Sequence, residues 1–216
     1  MSRLTIFARL QGCGLVLIMA GTGLVLLSSH FAMAQSAGTV IGISGDCFVV
    51  SGGNRTALRL GLAVQVGDIL DVAAPAKLKL RMADGSIISV APGTQMTIRA
   101  YAVDAAGQRQ DASLSLGQGL LRAVVAPVTG PARFEVNTAV GTAAVRSTDW
   151  FVEASRGAMQ VGVLTGSIVM TSGATGAGIT IPERWGARLE AGRNPVPPRV
   201  WSQAEFDAVI ARTELP

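Results

Sequence analysis

An all-β fold is what the sequence predicts: an antiparallel sandwich or a β-solenoid-like stack, with a short C-terminal α-helix. Three observations lead there. Apolar and polar residues alternate with period two through much of residues 35–192. Gly, Pro, Asn or Asp interrupts that alternation roughly every 8 to 12 residues. Only the stretch from Ser202 onward carries a capped amphipathic pattern.

The chain of 216 residues opens with the three zones of an export signal. Arg3 and Arg9 make a basic start, Cys13 to Leu27 is an uncharged apolar run, and Ala32-Met33-Ala34 precedes Gln35 as a small-x-small cleavage site. As a helix this run spans about 22 Å at about 1.5 Å per residue, short of a ~30 Å hydrocarbon core. Cleavage between Ala34 and Gln35 is expected, with no retained transmembrane helix and a periplasmic or secreted product. The expected organisation is 1–34 signal, 35–192 β-domain, and 193–216 a Pro-rich segment with an amphipathic helix. The same cut removes His30, the only histidine, and Cys13. It leaves Cys47 as the single cysteine and 16 basic against 14 acidic residues. No internal disulfide can then form. Cys47 reads as a small half-buried thiol in a strand, with an intermolecular bridge as the alternative. The arginines are scattered, so no nucleic-acid partner is expected.

Along the β-region, Val40 to Ile43 and Phe48 to Ser51 are the first strand candidates. In Leu78 to Met82 one face holds Leu78, Leu80 and Met82, and Lys77, Lys79 and Arg81 lie on the other. Asp84-Gly85 suits a positive-φ turn, and Ile88 and Val90 alternate with Ser89 beyond it, which predicts a hairpin with one buried and one wet face. Further strands are read at 95–99, 113–116, 120–125, 134–138, 148–153, 159–164 and 168–171. Three segments echo one another as strand, glycine turn, strand: Gly42 to Val50, Leu114 to Val124 and Gly162 to Met170. This supports a layered β arrangement, although glycine turns in any β protein produce similar echoes. Ser172 to Gly178 is composed like a flexible loop, and Pro195, Pro197 and Pro198 stiffen the segment after it. Ser202 and Glu205 form a capping box, flanked by a Trp201–Phe206 staple, with Val209 and Ile210 extending the stripe. The helix is expected to dock on the β-domain, with use as a partner-binding peptide as the alternative.

Catalytic chemistry is poorly provided for. Ser-His-Asp and Cys-His arrangements need a base titrating near neutrality, and no histidine survives the expected cleavage. Lys77 and Lys79 sit on the polar face of a strand and make poor bases. Zinc, copper and haem sites lack their nitrogen and sulfur ligands, so no cofactor and no metal are expected. Asp46, Asp68 and Asp71 offer carboxylates for calcium but match no binding-loop spacing and read as turn residues. The glycine run at 173–178 leads into a strand, Ile179 to Pro182, where a phosphate cradle needs a helix.

The β pattern resembles the FecR-domain family of the bacterial cell envelope. The pieces that carry the resemblance are GTVIGISGDCFVV, LGLAVQVGDIL, LKLRMADGSIISVAPGTQMTI, GLLRAVV, FEVNTAVGTAAVRSTDWFVEA and QVGVLTGSIVMTS, in the family's order over about residues 38 to 192. The resemblance implies a noncatalytic periplasmic β-domain. Signalling members relay a transporter signal to an anti-sigma segment, and this sequence shows no helical domain ahead of its apolar run. Within the last matching pieces, Val145 to Phe151 combines charges with two aromatics. Arg146, Asp149 and Trp150 are the candidate partner contact. The alternative is an internal Arg–Asp pair tying a corner, with Trp150 or Phe151 in the core. The expected role is a binding or sensing module whose partner is an envelope protein or polysaccharide. The rival expectations are a structural envelope component and, third, a carboxylate-based glycan hydrolase.

Overall fold

The structure, a computed structural model, describes residues 36–216. The expected signal segment and its cleavage site at Ala34 and Gln35 lie outside the described residues. Seventeen strands and one helix follow in order. The first part of the chain forms β1 (Ser36–Ser44), β2 (Cys47–Ser51), β3 (Asn54–Ala57), β4 (Ala63–Gln65) and β5 (Ile69–Val72). Then come β6 (Lys77–Met82), β7 (Ile87–Val90), β8 (Thr94–Val103) and the long β9 (Arg109–Val124). Beyond it lie β10 (Arg133–Asn137), β11 (Gly141–Val145), β12 (Asp149–Ser155) and β13 (Ala158–Thr165). The chain closes with β14 (Ser167–Ser172), β15 (Gly178–Pro182), β16 (Trp185–Glu190), β17 (Arg199–Val200) and α1 (Gln203–Thr213).

The pairing resolves into two sheets that share one strand. Sheet A runs β4-β1-β6-β7-β9-β12-β13-β16-β17. Sheet B runs β3-β2-β5-β8-β9-β10-β11-β14-β15. Every pair is antiparallel except β9–β10. The two orders advance together, so the chain lays down both layers from one end to the other. It is a sandwich in packing and solenoid-like in the order of assembly, with open sheets and no barrel.

Both inner faces feed one core. Leu78, Leu80, Ile88 and Val90 of sheet A pack in the same cluster as Leu70, Val72, Met96 and Ile98 of sheet B, all essentially without exposure. Each such side chain contributes about 1.5–3 kcal/mol on burial. The three echoed segments prove to be equivalent: each crosses from one sheet to the other. Gly45, Gly119 and Gly166 all hold positive φ there. Residues 113–116 and 120–125, expected as two strands, are one. β9 pairs with β8 and β10 up to Gln118, and with β12 from Gly119 onward.

The expected alternation with one wet face holds in β6, where Arg81 is exposed and Leu78, Leu80 and Met82 are buried, but not across the whole of sheet A. Over β9 and β12 the outer side of sheet A is covered by α1, where Leu120, Phe151, Trp201, Phe206 and Val209 belong to a second apolar cluster. Consecutive apolar pairs such as Leu120-Leu121 and Trp150-Phe151 follow from that double coverage, since neighbours on a strand face opposite ways. Two glycines make room for the aromatic rings. A Cβ on Gly162 would stand 2.3 Å from the Phe151 ring, and one on Gly186 would stand 2.2 Å from the Trp201 indole. Ser202 and Glu205 form the expected capping box, and Trp201 and Phe206 stack with centroids 5.5 Å apart. Lys77 Nζ donates to the carbonyls of Ala211 and Glu214 at 2.8 and 2.7 Å, closing the helix C-terminus with a cation. Among the described residues no helix is long and apolar enough to cross a membrane.

Candidate functional site

Several crossings meet at one end of the sandwich, and the Asp84-Gly85-Ser86 turn knots them. Asp84 is the acceptor at its centre. It receives the Ser86 N–H at 2.9 Å, the Ser86 hydroxyl at 2.8 Å and the Tyr101 hydroxyl at 2.6 Å. The Arg109 guanidinium closes the set as an ion pair with Asp84, both side chains fully buried. Burial, and then the negative Asp84 beside it, pushes the Tyr101 hydroxyl well above its ordinary range, so it stays protonated and donates. Arg109 also reaches across the crossings, donating to the Arg146 carbonyl at 2.9 Å and the Ala126 carbonyl at 3.3 Å. The Ser86 hydroxyl accepts the Ala126 N–H at 2.9 Å. Arg109 Nε has no hydrogen-bond partner among the described residues, and the Phe134 ring centre lies 5.4 Å from the guanidinium carbon. This cluster fixes the backbone at Ala126 and Arg146 from within.

The three sequence-predicted site residues diverge from that corner. Trp150 points into the sandwich core with no exposed surface. Asp149 forms a two-pronged pair with Arg122 on the neighbouring strand, at 2.9 Å from Nε and 2.8 Å from the outer nitrogen. That hydrogen bond holds the Arg122 guanidinium proton more tightly than usual, and Glu214 adds a contact at 3.4 Å. Asp149 therefore pairs with Arg122, not with Arg146. Arg146 alone projects outward, exposed and without a carboxylate partner among the described residues.

Arg146 stands at the edge of a groove of about 590 Å³, within the range of ligand clefts. Residues 131–133 form one wall, the 146–148 corner closes one end with Gly166, and Ala144 and residues 167–169 line the rest. Thr148 ties the corner down by donating to the Ser167 carbonyl at 3.1 Å. Val169 is 46% exposed here, an apolar side chain left open to solvent. Arg133 and Val169 were not legible as site residues, because β10 and β14 reach Arg146 only through strand register. Among the described residues no three His, Cys, Asp or Glu converge as a metal site. Asp68 accepts the Gln65 N–H at 2.8 Å, and Asp71 pairs with Arg55 at 3.0 Å.

The sandwich fold is of a kind already seen in crystals. Two crystal structures of a protein from Parabacteroides distasonis ATCC 8503, described as a "putative anti-sigma factor", share the fold with a TM-score of 0.54 at 15% identity. The similarity covers 65% of this chain and 63% and 62% of those chains, so the present chain spans under two thirds of that protein's length. The family model described as FecR protein matches residues 68–169, and the chain therefore carries a FecR domain. The match takes in Asp84, Arg109, Arg122, Arg146 and Asp149, and leaves β1 to β4, β15 to β17 and α1 outside it. No curated protein matches.

Proposed function

We propose that this protein is an exported, noncatalytic FecR-domain module that binds a protein partner in the cell envelope and serves signal regulation. The observation that carries this reading is the Arg146 groove. It lies within the FecR match, is braced from below by Arg109, and opens on the sheet that α1 leaves uncovered. The anti-sigma description of the Parabacteroides protein supports the regulatory part. The absence of histidine after Ala34 supports the noncatalytic part.

Two measurements test it. Cell fractionation with N-terminal sequencing should find a periplasmic or secreted chain beginning at Gln35; a cytoplasmic chain retaining Met1 sinks the export claim. A photo-crosslinking side chain placed at position 169 in living cells should trap a discrete envelope protein, with no such product from position 99 on the same sheet. Equal products from both positions, or none from 169, would overturn the binding claim.

A further inference from the structure

We infer that the Arg146 groove receives an acidic extended peptide segment of the partner, with a carboxylate on Arg146 and an adjacent apolar side chain on Val169. This rests on the binding role proposed above and adds the chemical class of what is bound. Charge complementarity carries it. Two arginines, Arg133 and Arg146, line the groove, and no acidic residue does. The neighbouring carboxylates are already engaged. Glu135 accepts from Ser113 at 3.2 Å and Asn137 at 3.1 Å and pairs with Arg133 at 3.4 Å. Glu183 accepts the Gly166 N–H at 3.3 Å. Among the described residues Arg146 is thus the groove cation without a carboxylate partner, and its planar guanidinium suits a carboxylate bidentately.

The rest of the lining selects among anions. Pro131, Ala132, Ala144 and Val169 give an apolar strip beside the cation. A nucleic acid or other polyanion binds through many phosphate-type contacts, and two arginines supply too few. A glycan presents hydroxyls that call for side-chain amides, carboxylates or stacked rings, and none of these lines the groove. The basic residues of the segment before Gln35, Arg3 and Arg9, without any acidic residue, exclude the chain's own N-terminus as occupant on charge. A peptide combining Asp or Glu with Leu, Ile or Val meets both halves of the surface. The corner itself is rigid, held through the Arg109 and Thr148 hydrogen bonds, so little ordering accompanies binding.

The test is selection of a displayed random octapeptide library on the purified chain, in parallel with Arg146→Glu and Val169→Asp. Wild type should enrich peptides that pair acidic with aliphatic residues. Their affinity, read by fluorescence anisotropy, should fall about tenfold or more on either variant. Arg146→Glu should in turn enrich Lys or Arg peptides, a reversal that a misfolded variant cannot give. Acidic peptides held equally by wild type and Arg146→Glu would overturn the inference, as would enrichment without charge preference. Capture of a sulfated glycan in preference to every peptide would also overturn it. A groove-specific crosslink from position 169 combined with no acidic enrichment leaves the binding role standing and removes the acidic class. Loss of both removes both.

Discussion

At Asp84 two opposite charges meet with neither side chain reaching solvent. Removing one partner strands the other in a low-dielectric site, which costs about 3–5 kcal/mol, whereas replacing both with apolar groups of similar size is far milder. Asp84→Ala should therefore lower the urea-unfolding free energy by about 3–5 kcal/mol, and Asp84→Leu with Arg109→Met should recover most of it. A loss under about 1 kcal/mol for Asp84→Ala, the scale of an exposed pair, would show that the pair does not brace the corner. Cys47 gives a second prediction at this scale. It is buried, and desolvation followed by the charges of Asp46 and Asp71 pushes its thiol up to about 11. The folded state thus holds its proton more tightly than the unfolded chain. The stability this contributes is complete below the ordinary value of 9.0 and is lost as pH rises from there to about 11. Unfolding midpoints should fall more steeply over that window in wild type than in Cys47→Ala, which keeps only the contribution of the raised Tyr101 hydroxyl. The sequence exposes Arg146 as an odd charge in a strand corner. It hides Arg109, because a charged residue in AAGQRQD reads as an exposed loop until Asp84 arrives from another strand.

The helix is the element whose docking is most open to experiment. Its cap, its staple and the Lys77 contact all act on one 11-residue segment that short-helix physics leaves marginal alone. Ser202→Ala should cost about 1 kcal/mol, and Phe206→Ala about 3–5 kcal/mol, because Phe206 has no exposed surface. Differential scanning calorimetry separates the two, and equal small losses would mean that the aromatic cluster is not what holds α1. Glu205 is held down to about 2, first by its hydrogen bond with Arg199 and then by the Ser202 backbone. The sign follows: this contribution is full above the ordinary value of 4.5 and is lost as pH falls from there towards 2. The pair is solvent-exposed, so added salt should shrink the effect. Trp201 fluorescence should report an acid transition in that window, absent in Glu205→Gln. The helix and most of the longer strands are readable because caps and period-two alternation are local, but β5, β11 and β16 are not among the strands the sequence predicts. β9 was misread as two strands because Gly117 and Gly119 look like a turn, although the backbone continues through them from one sheet into the other. β3, β4 and β17 are four, three and two residues long, too short to alternate visibly.

On the scale of the whole molecule, the two layers advance together along the chain, yet a single core cluster runs through both. Stacked architectures whose units touch only their neighbours tend to lose stability piecewise. Here β9 works against that, since one strand belongs to both sheets and pairs with strands from the early and the late chain. The hinge in β9 is Gly119, at a φ of +95°, and Thr94 compensates for the switched ladder by accepting the Leu120 N–H at 3.0 Å. A Cβ at this position would lie 2.2 Å from Thr94 Oγ1 and 2.6 Å from its backbone. Gly119→Ala therefore combines positive-φ strain with overpacking, about 2–5 kcal/mol in all. The loss should fall on both halves at once. Pulse labelling of Cys47 in β2 follows the early strands, and tryptophan fluorescence follows the late ones, where Trp150, Trp185 and Trp201 all lie. Wild type and Gly119→Ala should each give one transition, coincident by both probes, with the variant shifted to lower urea. If the variant instead separates the two transitions, the halves are independent bodies joined by a strand. The continuity of the core would then not be what makes this fold cooperative.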